Sequence, residues 1–310
     1  MNGDKLQEFM RKTTNIMLQV WEILSFRTVS KLVFCVALIT SQTGLAAPNS
    51  RDQNRIVSIG GSVTEIIYAL GQQDRLVARD STSTYPSQAT ELPDVGYMRA
   101  LSPEGVLSVG PDLIIAEEGS GPKETIDLLG EASIPFITIP GLYSREGIIA
   151  KVIAVGDALG VQAEAEALAG KLDAELTTAE EKSVSYSGVR KKVLFILSTR
   201  GGKILAAGSN TAANGIIEMA GGVNAISAFE GYKPLSDESL TVAAPDVIMM
   251  MDRGGDHNTA DEELFALPAI STTPAAKTQS VIRMNGLYLL GFGPRTASAV
   301  KDLHNALYVE

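Results

Sequence analysis

The sequence predicts an α/β fold of two Rossmann-like lobes, each with a central, mainly parallel sheet, joined by one long α-helix and facing each other across a cleft. Three observations lead there. Short apolar runs alternate with helix-like stretches in both halves: RLVA, DLIIA and FITI in the first, KVLFIL, DVIMMM and SVIRM in the second. Such alternation calls for parallel strands joined by crossover helices. Between the two sets, residues 144–185 keep helical periodicity and contain few strand formers. The third observation is an internal echo. SPEGVLSVGPDLII begins at Ser102 and SDESLTVAAPDVIM at Ser236; in both, Glu follows Ser by two places and Pro-Asp follows that Glu by seven. The same helix–strand unit is therefore expected in each half.

In chain order, the first 46 residues differ from the rest. Basic residues (Arg11, Lys12, Arg27, Lys31) precede the apolar run LVFCVALIT, and small residues follow in SQTGLAAP. That is the order of a secretory signal, with Gly44 and Ala46 placing cleavage after Ala46. The leader is long enough that translation starting at Met17 would also fit. As a membrane anchor the run is too short and is interrupted by Ser41, Gln42 and Thr43. Cys35 lacks the small residues that a lipid-attachment site needs before it. Residues 1–46 carry five basic and three acidic side chains, so the remainder is more acidic than the −10 of the whole chain. An acidic surface argues against nucleic acid or an anionic membrane as the main partner. Cleavage also removes the only cysteine and the only tryptophan, and a thiol-free mature chain fits export.

RIVSIGGSVTEIIYALG, residues 55–71, reads as a buried strand, a glycine turn and a helix. Ser62 with Glu65 matches a capping box, and Gly71 supplies a helix stop. The third glycine of a dinucleotide fingerprint is absent. Residues 162–183, QAEAEALAGKLDAELTTAEEKS, predict a helix of roughly 33 Å at about 1.5 Å per residue, a stiff strut between lobes. The expected organisation is a signal peptide (1–46), an N-terminal lobe (47–142), a linker with the long helix (143–187) and a C-terminal lobe (188–310). Within the echo, Ser102 and Ser236 read as N-caps, Pro103 as a first-turn residue, and Glu104 and Glu238 as acids that favour the helix dipole. The competing reading is a matched pair of charges offered to a partner. Gly-x-Ser-x-Gly and His-Glu-x-x-His are absent, and the mature chain has no thiol nucleophile, so no enzyme is expected.

The segments IGGSVTEIIYALG, DSTSTYP, LPDVGYMRALSPEGVLSVGPD, VLFILS, YKPLSDESL and GFGPR carry a resemblance that runs from Arg55 to about Tyr308. The chain resembles the periplasmic haemin-binding proteins of bacterial haem ABC importers. These belong with the vitamin B12- and siderophore-binding proteins whose lobes share one long helix. The GYMRALSPEG stretch is the most specific part. The resemblance implies Tyr97 as the axial ligand of haem iron, Arg99 as its support, and Glu104 and Glu238 as docking points for an inner-membrane permease. It implies haem b as a transported ligand in the periplasm, with an outer-membrane haem receptor system upstream. Vitamin B12 or a ferric siderophore is the alternative cargo. Some relatives add a histidine near the strand matching VLFILS; here Ser198, Thr199 and Arg200 stand there, which puts a histidine-supplied sixth ligand and a two-haem arrangement in doubt.

The chemistry agrees with that assignment. Ferric iron is a hard cation that favours an anionic oxygen, tyrosine is an established haem ligand, and a neighbouring cation favours phenolate over phenol. Ligands of open α/β sheets bind beyond the carboxyl ends of strands, which nominates Tyr97, Arg99, Arg200, Tyr232 and Arg253. Arg200 and Arg253 follow apolar strands and suit propionates, although each reads equally as an exposed loop residue. His257, in DRGGDHNTADE, is a second-ligand candidate that its polar surroundings argue against. His304 reads as a packing residue, Tyr85 as a turn residue that can line the cleft, and the methionines at 249–251 as a buried strand.

Overall fold

The computed structural model describes residues 54–252 and 260–309; the expected signal segment, Arg253 and His257 lie outside the described residues. β1 (Ile56–Ile59) is wholly buried, and α1 (Gly61–Ala69) follows it directly. β2 (Leu76–Arg79), α2 (Pro103–Leu107), β3 (Leu113–Glu117), α3 (Lys123–Glu131) and β4 (Phe136–Ile139) complete the first lobe. Its sheet has the order β2-β1-β3-β4, and every pairing is parallel.

Two helices follow without a strand, α4 (Arg145–Leu159) and α5 (Gln162–Val184). At 23 residues α5 reaches roughly 34 Å. Ala165, Ala169 and Leu172 of α5 pack into the core of the first sheet, whereas Leu176 packs into that of the second. One helix thus belongs to two hydrophobic cores, the physical content of the strut expected from its composition.

The second sheet is built from β5 (Lys192–Ser198), β6 (Leu205–Ala207), β7 (Val223–Asn224), β8 (Tyr232–Pro234), β9 (Val247–Asp252) and β10 (Val281–Asn285). Its path is β10-β9-β5-β6-β8, with β7 also on β5. The pairings β10–β9, β9–β5 and β5–β7 are parallel, but β5–β6 and β6–β8 are antiparallel. This lobe is therefore mixed, and the expectation of a mainly parallel sheet holds fully only in the first. Strands of two or three residues, such as β6, β7 and β8, are too short to show a period in sequence. Around the sheet lie α6 (Ala212–Met219), α7 (Asp237–Ala243), α8 (Asp261–Ala266), α9 (Pro268–Ser271), α10 (Pro274–Thr278), α11 (Gly286–Leu290) and α12 (Thr296–Tyr308).

The sequence echo is a structural repeat. β5–β9–β10 reproduces the parallel order β1–β3–β4, with α2 leading into β3 and α7 into β9. Its Pro-Asp has a definite task. Asp112 accepts hydrogen bonds from the backbone N–H of Asn54 (3.2 Å) and Arg55 (3.1 Å) at the start of β1. Asp246 accepts one from Lys192 (2.8 Å) at the start of β5. In each lobe the aspartate clamps the backbone at the amino end of the neighbouring strand, holding two parallel strands in register there.

One local expectation is corrected. Ser62 and Glu65 do not form a capping box: α1 starts at Gly61 and has no side-chain cap. Both side chains serve the seam between the lobes instead. Lys151 of α4, with no solvent exposure, donates to Ser62 Oγ (3.0 Å), Glu117 Oε1 (2.5 Å) and the carbonyl of Gly291 in the second lobe (3.4 Å). Glu65 accepts from Arg295 through Nε (3.0 Å), NH2 (2.9 Å) and the backbone N–H (3.2 Å). The helix does end as expected. Gly71, at φ +69°, donates to Tyr68 O (3.0 Å) while Gln72 donates to Ile67 O (3.0 Å), a Schellman pair that only a left-handed residue closes easily. His304 is buried, and its Nδ1 lies 3.0 Å from Ala220 O, which makes it the packing residue that the sequence suggests.

The seam ion pair gives a stability prediction. Removing one partner of a buried pair strands the other charge, at about 3–5 kcal/mol when both are enclosed. The Arg295 side chain is a quarter exposed, so Glu65→Gln is expected to cost roughly 2–3 kcal/mol in urea unfolding. A cost below roughly 0.5 kcal/mol would mean that the apolar contacts alone hold the seam.

Candidate functional site

The loop that carries Tyr97 is tied down at its base. Arg79, last in β2, donates its backbone N–H to Pro93 O and accepts from Val95 (3.0 Å each), so the returning chain extends the sheet edge. Asp80, fully buried, accepts four hydrogen bonds: Gly60 N–H (2.9 Å) and Ser83 Oγ (2.7 Å) on Oδ1, and Thr82 N–H (2.9 Å) and Thr82 Oγ1 (2.7 Å) on Oδ2. Thr64 bridges Ser58 and Ser83 at 2.6 Å on either side. DSTSTYP is thus a polar knot that fastens the loop to the turn after β1.

Within GYMR the three side chains divide by burial. Met98 is only 6% exposed and joins a core cluster with Val95, Leu101 and Val106. Its carbonyl accepts from Gly121 (2.8 Å), and Leu101 donates to Gly121 O (2.9 Å), which pins the segment to the loop after β3. With Met98 as the anchor, its two neighbours must face outward. Tyr97 is 45% exposed, and Arg99 NH1 donates to its hydroxyl at 3.1 Å.

Two further phenols share the space of that guanidinium. Burial acts to lower the Arg99 pKa, but the hydrogen bond to Tyr97 and the fields of Tyr97, Tyr143 and Tyr232 outweigh it and raise it. Tyr232 lies on β8 with its ring edge-on to Phe195 at 6.3 Å. Burial, and then Tyr143, push its phenol up, against the backbone of Ala213, Arg99 and Thr211. Tyr143 lies in the turn between β4 and α4. Its backbone packs where Gly215 of α6 offers no side chain, and its ring meets Phe292 edge-on at 5.3 Å. Burial and then Glu117 raise its pKa, Arg99 opposes and Glu118 adds to the rise. These side chains come from both lobes: Tyr97 and Arg99 from the first, Tyr232 from the second, and Tyr143 from the crossing between them.

Of the residues nominated from sequence, the structure brings Tyr97, Arg99 and Tyr232 together. Arg200 is exposed beyond the carboxyl end of β5, with its N–H on Ser198 Oγ at 3.1 Å. Tyr85 stacks on the Arg295 guanidinium at 3.5 Å from the ring centre. Glu104 and Glu238 are exposed in the first turns of α2 and α7, above serine caps at 3.0 and 3.1 Å. Tyr143 escaped the sequence reading because GLYS looks like a plain turn. The rule that placed the others, position beyond a strand's carboxyl end, applies to it as well.

A separate groove of about 980 Å³ lies at the seam, lined by Glu65, Tyr68, Asp74, Tyr85, Glu91 and Arg295 among others. Its guanidinium is already taken by Glu65, and Asp74 and Glu91 add negative charge. That lining repels an anionic ligand, whereas the Tyr97 side offers a cation and hydroxyl donors. On charge alone, the aromatic–basic space around Arg99 is the better place for a carboxylate-bearing ligand.

Two α/β lobes on one long helix, with Tyr97 and Arg99 from one lobe and Tyr232 from the other, are the architecture of a two-lobed solute-binding protein. Residues 56–286 match the Periplasmic binding protein family, and the chain belongs to it. Among solved structures, it is 38% identical to the periplasmic haem-binding protein BhuT in complex with two haems, with a TM-score of 0.77 over 82% of this chain and 97% of that one. It is 28% identical over 260 residues, 83% of this chain and 81% of the relative, to the uncharacterised ABC transporter substrate-binding lipoprotein YvrC of Bacillus subtilis. It is also 25% identical, over 71% of this chain and 78% of the relative, to the vitamin B12-binding protein of Vibrio campbellii.

The polar knot yields a test of how the loop is held. Asp80→Ala leaves buried N–H and hydroxyl donors without an acceptor, each worth about 1–3 kcal/mol. A loss of roughly 3 kcal/mol or more in urea unfolding is expected. If the loss is under roughly 1 kcal/mol, the loop is anchored by Met98 alone.

Proposed function

We propose that this protein captures haemin in the cleft between its lobes and delivers it to an inner-membrane ABC importer, acting in the periplasm after cleavage behind Ala46. The observation that carries the reading is the exposed Tyr97 phenol held by Arg99 at 3.1 Å. A phenolate is a hard anionic donor for Fe(III), and Arg99 is placed to hydrogen-bond that oxygen. Met98 fixes the turn from beneath, so the oxygen is presented without ordering a flexible chain when ligand arrives. The cargo is haem b, carried and released unchanged. Similarity to a protein solved with two haems supports the reading. Arg200 and Arg253, together with Tyr232, are the candidates for propionate contact.

Haemin titration of the purified mature protein tests this through the Soret and charge-transfer bands. Wild type is expected to give a high-spin, tyrosinate-like spectrum, and Tyr97→Phe to lose it together with at least about tenfold in affinity. An unchanged spectrum in the variant would remove Tyr97 as the ligand. Likeness to a vitamin B12-binding protein favours a second reading, cobalamin as cargo, and a ferric siderophore would suit the same fold. Tight cobalamin binding with none of haemin would establish that reading instead.

Delivery rests on Glu104 and Glu238. The structural repeat sets Glu104 at the start of α2 and Glu238, beside Asp237, at the start of α7, a matched pair for a partner with paired basic sites. Glu104→Arg combined with Glu238→Arg is expected to abolish haem-dependent growth while leaving haemin affinity within about twofold. Normal uptake by the double variant would leave both acids as helix-dipole partners only.

A further inference from the structure

The hydroxyl of Tyr143 is the strongest feature of the cleft without an assigned task. The side chain is 37% exposed, and its ring is fixed by the edge contact with Phe292 at 5.3 Å. Its backbone is seated against Gly215, where any side chain on α6 would collide with it. Among the described residues its hydroxyl takes part in no hydrogen bond, whereas the Tyr97 hydroxyl is held by Arg99. A fixed phenol that is open to solvent and bonded to no protein group can exchange its water for an acceptor on a ligand without breaking a protein contact.

We propose that Tyr143 is a ligand-contacting residue: a neutral phenol that donates its hydrogen bond, from the crossing between the lobes, to an anionic acceptor on the bound ligand. The inference rests on the haem reading and names a second contact for it. Burial and the neighbouring Glu117 and Glu118 keep the proton on this phenol against the pull of Arg99, so it acts as a donor and not as a second iron-binding phenolate. Two oxygens of a ferric porphyrin complex fit such a donor, a propionate carboxylate and an anion or water on the iron, and both are hydrogen-bond acceptors of the same kind.

The test compares wild type with Tyr143→Phe, which keeps the ring on Phe292 and removes only the hydroxyl. Both proteins are titrated with haemin and with haemin dimethyl ester, and the complexes of both porphyrins are then titrated with fluoride. If the acceptor is a propionate, the variant loses about five- to tenfold in haemin affinity and nothing with the ester. If it lies on the iron, fluoride affinity falls by the same factor with either porphyrin, as expected on loss of a donor beside the bound anion. Either result supports the inference, provided the variant's spectrum keeps the signature that Tyr97→Phe removes. Haemin and fluoride affinities within twofold of wild type would overturn it and leave the haem reading standing. Failure of wild type to bind haemin would bring down that reading, and this inference with it.

Discussion

Everything in this molecule depends on a buried polar seam. Two lobes on one helix would swing freely if α5 were their only connection. Instead, Lys151 reaches from α4 to Ser62, Glu117 and the Gly291 carbonyl, and Glu65 holds Arg295 by three hydrogen bonds. Tyr85 and Tyr288 lie against the same guanidinium at 3.5 and 5.2 Å. The Glu65–Arg295 pair and the bond from Lys151 to the Gly291 carbonyl are satisfied only when the lobes meet in one orientation, since sliding them apart would strand a carboxylate and an arginine at low dielectric. The seam therefore fixes the spacing of the cleft walls. Apolar packing gives adhesion, and the polar contacts give register.

A fixed spacing suits a rigid, flat ligand. Tyr97 and Arg99 are set by Met98 beneath them, Tyr232 by its strand and Tyr143 by its seat on Gly215, so the walls are in place before anything binds. Preorganisation of this kind reduces the ordering cost of association. It also explains a division of labour among the tyrosines. One phenol is hydrogen-bonded by a guanidinium, while two others stay protonated because burial and neighbouring groups raise them.

Much of this was legible in the chain. Alternating runs announced the α/β class, an Ala/Leu/Glu/Lys stretch announced α5, and the echo announced a repeated unit whose Pro-Asp turned out to clamp strand starts. Local pattern misled where a tertiary partner claimed the same side chains. Ser62 and Glu65 have capping-box spacing, yet Lys151 lies 89 positions from Ser62 and Arg295 lies 230 from Glu65. No window of sequence contains such a pairing. Short antiparallel strands were lost for the opposite reason, because two or three residues hold too little periodicity to read.

The sequence by itself determined which segments become strands and helices, that two halves share one design, and that Tyr97 and Arg99 flank an apolar anchor in a turn. Those are properties of neighbouring residues, governed by periodicity, turn chemistry and burial preference. Tertiary structure alone decided that Tyr143 joins the cleft, that Tyr85 is taken up by Arg295, and that Glu65 and Lys151 serve the seam. These follow from which distant surfaces come to lie within hydrogen-bonding reach, a matter of about 3 Å in space that distance along the chain does not encode.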